Sequence, residues 1–308
     1  MTLLLTRRDV ADLLNIDDCI DAVENAFRLL GLGQVPHPAI AGVHARGGAF
    51  HIKAAIAGNC FAAKINSNFY EARPRIKGVI ILSDANDGRV LAVMDSIEIT
   101  ILRTGAATAV AAKYLARKHV RTALIHGCGT QGRVQARAIR RVRDIERLFA
   151  YDTNCDAAAD FAEEIGAEAV PEPVWADIIV TCTPSQGPIL HQVQPGTFVA
   201  AIGADSEEKQ ELAPELMASS KVVTDLTSQC ETIGELHHAI AAGAMRREDV
   251  YAELSEVVAG HKRGREREDE VIIFDSTGMA LQDVAAAAIV YERALAAGRG
   301  TPFEFAAF

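Results

Sequence analysis

Three glycines near the middle of the chain have the spacing of a turn that binds a dinucleotide. They stand in the segment His126–Gly132 in the order G-x-G-x-x-G. Gly127 permits a tight turn, Gly129 lets backbone N–H groups approach a pyrophosphate, and Gly132 lets a helix pack against the preceding strand. The pyrophosphate would bind at the positive end of that helix dipole. Glycine turns also occur in ordinary strand–helix loops, so the flanking elements decide between the two interpretations.

The elements on both sides of the glycine turn favour dinucleotide binding. The apolar run Val120–Ile125 predicts a strand, and the stretch Arg133–Arg143 after the turn predicts a helix. A second predicted strand, Arg147–Tyr151, ends at Asp152, which lies twenty residues after Gly132. A carboxylate in that place can accept hydrogen bonds from the ribose hydroxyls of adenosine.

The residues after Asp152 indicate which dinucleotide is bound. Thr153 and Asn154 follow it, and this turn contains no arginine that could bind a 2′-phosphate. A carboxylate that faces a phosphate is unfavourable, because like charges held together in a binding site repel each other. The sequence therefore predicts NAD(H) as the cofactor, in preference to NADP(H).

The patterns around this unit predict an α/β protein. Later apolar runs end in polar or turn residues, which is typical of a buried parallel sheet. The first hundred residues instead predict helices and an antiparallel sheet, with a hairpin turn at Asn86–Gly88. We therefore predict a Rossmann-type dinucleotide-binding domain over residues 117–280 and an α+β domain over residues 1–116. A C-terminal helix over residues 281–308 is predicted to pack back on the α+β domain and to form part of it. The parallel strands are predicted at Ile178–Thr183, Phe198–Ile202, Lys221–Asp225 and Val271–Asp275.

Composition excludes several classes of protein. The 308 residues are 49% hydrophobic and 23% charged, which is an ordinary globular balance. Forty-one acidic residues against 31 basic ones give a net charge of −10, which repels nucleic acids and anionic membrane surfaces. Six cysteines occur without a CxxC pair, which predicts reduced thiols in a cytoplasmic protein and no zinc site or other metal site. No apolar run is long enough for a membrane span.

Polar residues follow the predicted parallel strands, at the sheet edge where such sheets bind ligands. Thr181 and Thr183 end one strand, and Ser276 and Gly278 follow another. These residues could face the nicotinamide of the cofactor. Turn formation and helix capping are the ordinary alternatives for each of them taken alone.

Three basic residues are candidates for binding a substrate carboxylate. Lys64 and Lys53 each stand in a predicted strand, where a lysine can also simply point to solvent. Arg103 is predicted at the start of a helix that begins with Thr104, where its charge opposes the helix dipole. A carboxylate bound in bidentate fashion would account for an arginine in that place.

Four motifs spread over nearly the whole chain carry a resemblance to a known family. In chain order they are Asp95–Ala106 with its Arg-Thr-Gly-Ala, Gly127–Gly132, Gly203–Asp205 ahead of Glu211–Leu212, and Phe274–Asp283. Together they resemble the ornithine cyclodeaminase/mu-crystallin family, for which Arg-Thr-Gly-Ala combined with Gly-x-Gly-x-Gln-Gly is quite specific. The resemblance implies a homodimer in which the N-terminal domain binds substrate and forms the dimer.

The resemblance also implies roles for individual residues. Lys64 and Arg103 match the family residues that hold the carboxylate and imine region of the substrate, with Lys53 as a further substrate-binding candidate. Asp205 matches the acidic residue proposed for proton transfer or water activation, although it could also cap a helix. The candidate cofactor-binding residues are Thr104, Gly127, Gly129, Thr130, Gln131, Gly132, Asp152, Thr153, Thr181, Thr183, Ser276 and Gly278.

One departure from the family pattern bears on the substrate. Members commonly have another carboxylate-binding arginine before the second strand, and often Met-Pro-Ala at the end of that strand. Here the corresponding segments are Val35–Pro38 and His51–Ala55, so ornithine itself does not follow from the resemblance.

We therefore predict an NAD(H)-dependent oxidoreductase that acts at the Cα–N bond of a small amino acid or imino acid, as an imine (ketimine) reductase or amino-acid dehydrogenase. Two alternatives remain. One is a cyclodeaminase that acts on ornithine or a related diamino acid, releases ammonia and recycles NAD. The other is a non-catalytic nucleotide-binding protein of the mu-crystallin type.

Overall fold

The computed structural model describes residues 1–69, 71–74 and 76–305. Within those residues, no helix is both long enough and apolar enough to cross a membrane. The elements of the first part of the chain are β1 (Thr2–Leu5), α1 (Arg7–Leu13), α2 (Ile16–Gly31), β2 (Ala39–Ala45), β3 (Gly48–Ala57), β4 (Cys60–Phe69), β5 (Ile76–Asp84), β6 (Val90–Asp95) and α3 (Ile97–Leu115).

The elements of the second part begin with the predicted dinucleotide unit. They are β7 (Thr122–His126), α4 (Thr130–Val142), β8 (Arg147–Tyr151), α5 (Cys155–Ile165), β9 (Glu168–Ala169), β10 (Ile178–Thr181), β11 (Gln186–Leu190), β12 (Phe198–Ala201), β13 (Gln210–Leu212), α6 (Pro214–Ala218), β14 (Lys221–Thr224), α7 (Thr227–Ile233) and α8 (Glu235–Ala241). After a short 3₁₀ helix (Arg247–Asp249) come β15 (Ala252–Glu253), α9 (Leu254–Val258), β16 (Ile272–Asp275), α10 (Ala280–Ala297) and β17 (Thr301–Phe303).

The chain divides into two compact units. Unit 1 comprises residues 1–103 together with the segment that begins at Met279, and unit 2 comprises residues 104–278. The division falls inside α3, so this one helix contributes residues to both units. The domain limits at residues 116 and 280 therefore stay predictions.

Unit 1 is built on a seven-stranded sheet in the order β17-β1-β6-β5-β4-β3-β2. Strands β2 to β6 pair antiparallel in succession, and the predicted turn at Asn86–Gly88 joins β5 to β6. Strand β1 was not predicted, and it joins β6 in parallel. Helix α10 packs on β3 and β4, and its many alanines allow a close approach to the sheet.

The C-terminal helix ends earlier than predicted. Helix α10 ends at Ala297, where Gly298 takes the left-handed conformation with φ of 61°. Glycine is favoured there because it has no Cβ. The chain then forms β17, which pairs antiparallel with β1. The helix predicted over residues 281–308 is therefore wrong beyond Ala297, and its last three residues, 306–308, lie outside the described residues.

Unit 2 contains an eight-stranded parallel sheet in the order β15-β14-β16-β12-β10-β7-β8-β9. From β7 the chain adds β8 and β9 on one side and then β10 and β12 on the other, which produces the crevice where such sheets bind nucleotides. Strands β7, β10, β12 and β16 are almost wholly buried, as their apolar sequences predicted. The predicted α/β class with a Rossmann-type domain is confirmed.

Four buried acidic residues, which we call the acidic ladder (Glu211, Asp225, Glu235 and Asp275), organise the carboxyl edge of this sheet. Their carboxylates accept hydrogen bonds from N–H groups of neighbouring segments. Asp275 binds the N–H groups of Glu235 and Leu236, at 3.2 and 2.9 Å. Glu235 in turn binds the N–H groups of Glu211 and Leu212, at 2.8 and 3.0 Å. Asp275 thus positions the segment that carries Glu235, and Glu235 positions the segment that carries Glu211.

Burial changes the protonation of three acids of the ladder. It raises the pKa of Asp275 to about 7, raises that of Glu211, and raises that of Glu235 well above its ordinary value. Neighbouring acids add to the effect, since Asp225 raises the pKa of Asp275. These groups bind protons more tightly in the folded protein than in the unfolded chain. Their stabilising contribution is therefore present at low pH and is lost as the pH rises through the folded pKa.

We expect Asp275 to make the free energy of unfolding fall as the pH rises from about 4 to about 7. Asp275 alone contributes a slope of up to about 1.4 kcal/mol per pH unit, because its pKa rises from 3.8 to about 7 on folding. Urea titrations at several pH values measure this slope. An Asp275→Asn variant should be less stable but should show a flatter pH dependence, whereas the exposed Asp144→Asn control should keep the parent slope. An unchanged slope in Asp275→Asn would contradict the assignment.

Candidate active site

The glycine turn joins β7 to α4 in unit 2. Gly127 has φ of 112°, a conformation that disfavours any residue with a Cβ. A Cβ at Gly127 would also collide with the backbone of Cys182, and one at Gly132 would collide with the carbonyl of Gly127. By contrast, a Cβ at Gly129 would meet nothing within 4 Å, so the space beside its backbone is open. The turn therefore has the close helix–strand approach and the open backbone surface that a pyrophosphate requires.

The N-terminus of α4 is suited to an anion. Gly129 is the residue before the helix and provides no side-chain cap, and the first turn, with Thr130 and Gln131, contains no acidic residue. The amide N–H groups of this turn point out of the helix and attract a phosphate. These features fit the dinucleotide predicted from the sequence.

Asp152 follows β8, as predicted for the ribose-binding carboxylate. One of its oxygens accepts the N–H of Cys128 at 2.8 Å, and the other accepts the N–H of Asn154 at 2.9 Å. The first bond ties Asp152 to the glycine turn, and each oxygen retains a lone pair for a ribose hydroxyl. Thr153 is exposed beside it.

The polar residues after β10 and β16 are held by the acidic ladder. Glu211 accepts the N–H and the hydroxyl of Thr183 at 2.6 and 2.8 Å, and it also accepts the N–H of Gly203. Asp225 accepts the hydroxyl of Ser276 at 3.1 Å and the N–H of Gly278 at 2.6 Å. The hydroxyl protons of Thr183 and Ser276 are therefore used within the protein. Their oxygens can accept a hydrogen bond from a ligand but cannot also donate one.

Two further residues of unit 2 were predicted to bind the cofactor, and both lie within regular secondary structure. Thr181 is the buried last residue of β10. Thr104 lies within α3, and its carbonyl accepts the hydroxyl of Thr108 at 3.4 Å.

Asp205 lies in the loop after β12, and its side chain is 49% exposed. It forms an ion pair with Lys209. Residues 206–209 form a turn that leads into β13, so no helix begins there. The helix-capping alternative for Asp205 is wrong, because the chain continues as a strand. Its carboxylate is accessible from solvent and lies beside an ammonium group.

Lys64, Arg103 and Asp283 form a buried ionic cluster in unit 1. The Lys64 ammonium lies 2.7 Å from one carboxylate oxygen of Asp283, and the Arg103 Nε lies 3.2 Å from the other. Arg103 also donates to the side chain of Gln282 at 2.9 Å, and Lys64 donates to Thr100 at 3.4 Å. The alternative that Lys64 points to solvent is wrong, since it is only 3% exposed.

The position of Arg103 differs from the prediction. Helix α3 begins at Ile97, so Arg103 lies in its second turn and not at its start. The predicted conflict between Arg103 and the helix dipole is therefore wrong, and the ion pair with Asp283 accounts for the arginine instead. A guanidinium has five N–H donors, so after these bonds Arg103 still has donors for a ligand carboxylate.

Lys53 lies beside the ionic cluster. It stands directly opposite Lys64 in the β3–β4 pair, so both side chains project from the same face of the sheet. Burial lowers the pKa of Lys64 to about 7, while Asp283 acts in the opposite direction. The neighbouring cations Arg103 and Lys53 lower it further. Burial by itself would raise the pKa of Asp283, but its bound cations outweigh burial and lower it.

The carboxylates that hold the candidate residues in place were not predicted from the sequence. Gln282 and Asp283 stood within a motif that resembles the family, but they were given no role. A signal was present, because an acidic residue on a helix of almost uniformly apolar sequence must find a partner when it is buried. Glu211 and Asp225 gave a weaker signal, since their partners are backbone N–H groups and short uncharged side chains. Among the described residues, no group of three or more His, Cys, Asp or Glu side chains is arranged to bind a metal ion.

Comparison with known proteins places this geometry in a family. The model of the ornithine cyclodeaminase/mu-crystallin family matches residues 1–298. Alanine dehydrogenase of Archaeoglobus fulgidus is 41% identical, over 99% of this chain and 98% of that protein.

Two solved structures extend the comparison. An archaeal alanine dehydrogenase dimer with bound NAD is 40% identical, with a TM-score of 0.95 over 99% of each chain. Δ1-pyrroline-2-carboxylate reductase of Thermococcus litoralis, in complex with NADH and L-proline, is 32% identical, with a TM-score of 0.92 over 98% of this chain and 100% of that one. Since the family model, the sequence and the fold agree over almost the full length, the chain belongs to the ornithine cyclodeaminase/mu-crystallin family.

Proposed function

We propose that this protein is an NAD(H)-dependent oxidoreductase that acts at the Cα–N bond of an amino acid, as an imine reductase or amino-acid dehydrogenase. The observation that carries the proposal is the buried cluster of Lys64, Arg103 and Asp283. Two cations that share one carboxylate keep an excess of positive charge, which suits the carboxylate of an amino acid. The glycine turn and Asp152 supply the second requirement, a dinucleotide site.

The relatives support this assignment. One is named an alanine dehydrogenase and has bound NAD, and the other is named a pyrroline-2-carboxylate reductase and holds NADH with L-proline. Both names refer to the interconversion of amines and imines, and both complexes contain the same dinucleotide. The proposal assigns dinucleotide binding to unit 2 and carboxylate binding to unit 1.

In the oxidative direction the Cα–H bond of the amino acid breaks and its electron pair leaves with the hydrogen as hydride. The nitrogen loses a proton as the C=N bond of the imine forms. The nicotinamide, when bound, accepts this hydride or supplies it in the reverse direction. Arg103 and Lys64 hold the carboxylate, and Asp283 fixes both cations in place. Because the pKa of Lys64 is about 7, its ammonium can also release a proton near neutral pH, and its neutral amine can accept one.

Asp205 is assigned the transfer of protons or the activation of water. It lies in the loop after β12, at the edge of the sheet where parallel sheets bind ligands. Its carboxylate is accessible from solvent and pairs with the ammonium of Lys209.

We expect steady consumption of NADH when the protein is supplied with a 2-keto acid and ammonia, or with a cyclic imino acid, and formation of NADH with the matching amino acid. Efficiency with NADPH should be lower by about a hundredfold, because Asp152 repels its 2′-phosphate. The absorbance band of the reduced nicotinamide measures the rates with NADH and with NADPH. Release of ammonia without net change in NADH would indicate a cyclodeaminase instead, and binding of NADH without turnover would indicate a non-catalytic protein.

Substitutions of Arg103 and of Asp205 should affect different kinetic constants. Arg103→Ala should lower kcat/KM by about 30-fold or more, mainly through KM, since a buried charged partner of the substrate is removed. Asp205→Asn should lower kcat by about 10²–10⁴-fold with KM little changed, because the loss of a general acid–base affects the transition state. NADH binding, followed by fluorescence, should be intact in both. If either variant has the kinetics of the parent enzyme across the pH range, the substituted residue takes no part in the mechanism.

We also propose that the exposed face of the sheet in unit 1 forms a homodimer. Side chains alternate between the two faces of a strand, so this face is opposite to the one that bears Lys53 and Lys64. Ile52, Ile65 and Val79 lie directly across from one another on it. Val43, Phe50, Ile65 and Val79 are between 37% and 55% exposed, and such a patch is typical of an obligate interface. The dimer of the archaeal relative supports a second copy as its partner.

Sedimentation velocity should show a species of twice the chain mass. Ile65→Glu should shift it to the monomer, because a carboxylate would then be buried without a partner in an apolar interface. Leu295→Glu replaces an aliphatic side chain that is 56% exposed on α10 and serves as the matched control. A dimer that persists in Ile65→Glu would exclude this face.

A cytoplasmic location is also proposed. All six cysteines are free thiols, as expected in a reducing compartment. Localisation by fractionation of the source cells would test this, and recovery in an oxidising compartment would contradict it.

A further inference from the structure

Arg133 binds the glycine turn through two backbone carbonyls. Its Nη1 donates to the carbonyl of Cys128 at 2.5 Å and to that of Gly129 at 3.3 Å. The backbone N–H of Arg133 also donates to the Gly129 carbonyl, at 3.2 Å. Arg133 is therefore bonded to two successive peptide groups of the turn that is assigned to the pyrophosphate.

These bonds determine where two N–H groups of the turn point. A peptide group is planar and trans, so its carbonyl and its N–H point in opposite directions. The Cys128 carbonyl shares a peptide group with the N–H of Gly129, and the Gly129 carbonyl shares one with the N–H of Thr130. A guanidinium that fixes both carbonyls therefore directs both N–H groups to the opposite side of the turn. Both lie at the start of α4, where an N–H group has no partner within the helix.

The donors available to a phosphate begin at Gly129. The preceding N–H, that of Cys128, already donates to Asp152 at 2.8 Å. Gly129 has the greatest backbone freedom at this point, because no Cβ restricts it. A donor that is free to move loses entropy when it binds a ligand, so a bond that orders it beforehand favours binding.

Helix α5 holds the guanidinium in place. The Nε of Arg133 donates to Glu164 at 2.6 Å, and the guanidinium lies 5.7 Å from the centre of the fully buried ring of Phe161. A cation near the start of a helix opposes the helix dipole, and Glu164 compensates for this charge. The guanidinium also polarises the peptide groups that it binds, which strengthens their N–H groups as donors.

We propose that Arg133 is a positioning residue of the dinucleotide site. Its guanidinium holds the carbonyls of Cys128 and Gly129 so that the N–H groups of Gly129 and Thr130 face the pyrophosphate of the cofactor. This inference rests on the proposed function and specifies how its dinucleotide site is ordered before the cofactor binds. Arg133 acts through the backbone and takes no part in hydride transfer.

Arg133→Met removes the guanidinium and keeps an unbranched side chain. Its Kd for NADH, measured by fluorescence titration, should rise by about tenfold or more, because two charge-assisted hydrogen bonds that order the turn are lost. The kcat at saturating NADH should change by less than about threefold, since only cofactor binding is affected.

Arg137→Met is the matched control. Arg137 lies one turn later on α4 and donates to the same Glu164, at 2.8 Å. The control therefore also loses an ion pair with α5, but the bonds from Arg133 to the turn remain. Its Kd for NADH should stay within about twofold of the parent value, because an exposed ion pair contributes little.

Two further measurements separate positioning from charge and from folding. Arg133→Lys keeps the charge but lacks the fork that reaches the carbonyls and Glu164 together, so its Kd for NADH should rise by about fivefold. This variant also supplies the test if Arg133→Met does not fold. In competition with NADH, ADP-ribose should bind Arg133→Met more weakly than the parent, whereas adenosine, which has no phosphate, should bind both equally. A purely structural role would lower the fraction of protein that binds NADH and leave the Kd unchanged.

Three results would overturn the assignment of Arg133 and leave the proposed function intact. They are an unchanged Kd for NADH in Arg133→Met, a parent-like Kd in Arg133→Lys, and an equal weakening of adenosine and ADP-ribose. If the parent protein itself binds no NADH, the proposed function fails and this inference fails with it.

Discussion

Burial of the Asp283 carboxylate between Lys64 and Arg103 constrains three elements that are far apart in the chain. Lys64 and Asp283 are separated by 219 positions, yet their charged atoms are in contact. A charge can be buried only when a partner compensates for its lost hydration, so β4, α3 and α10 must come together in one arrangement. If one partner were removed, the remaining charges would be left unpaired at a cost of about 3–5 kcal/mol. The same pairing that orders unit 1 also provides its candidate substrate site.

Unit 2 buries charged groups by a different means. Its acidic ladder binds mainly backbone N–H groups, which compensate for burial less completely than a cation does. The raised pKa values of Glu211, Glu235 and Asp275 are the consequence. In return, the carboxylates determine the paths of the loops after β10, β12 and β16. A parallel sheet binds its ligand with such loops, so their geometry matters more than that of the strands.

The electrostatics of the whole chain and of its candidate site have opposite signs. The chain has a net charge of −10, but the group around Asp283 has an excess of positive charge. A local field of this kind in a poorly hydrated region attracts anions, although the whole protein repels them. Burial is the largest cause of the lowered pKa of Lys64, and the neighbouring cations lower it further. The cations that attract an anionic substrate therefore also contribute to the tuning of this lysine.

The sequence by itself determined the features that depend on neighbours in the chain. The glycine turn, the strands on both sides of it and the hairpin at Asn86–Gly88 follow from local periodicity and from the backbone freedom of glycine. Only the tertiary structure decided the others. The placement of β16 between β12 and β14, the pairing of β1 with β17, and the partners of Lys64 and Arg103 depend on segments that are distant in the chain. Local sequence cannot specify such partners, because a buried charge requires only a compensating group, and many positions along the chain could supply it.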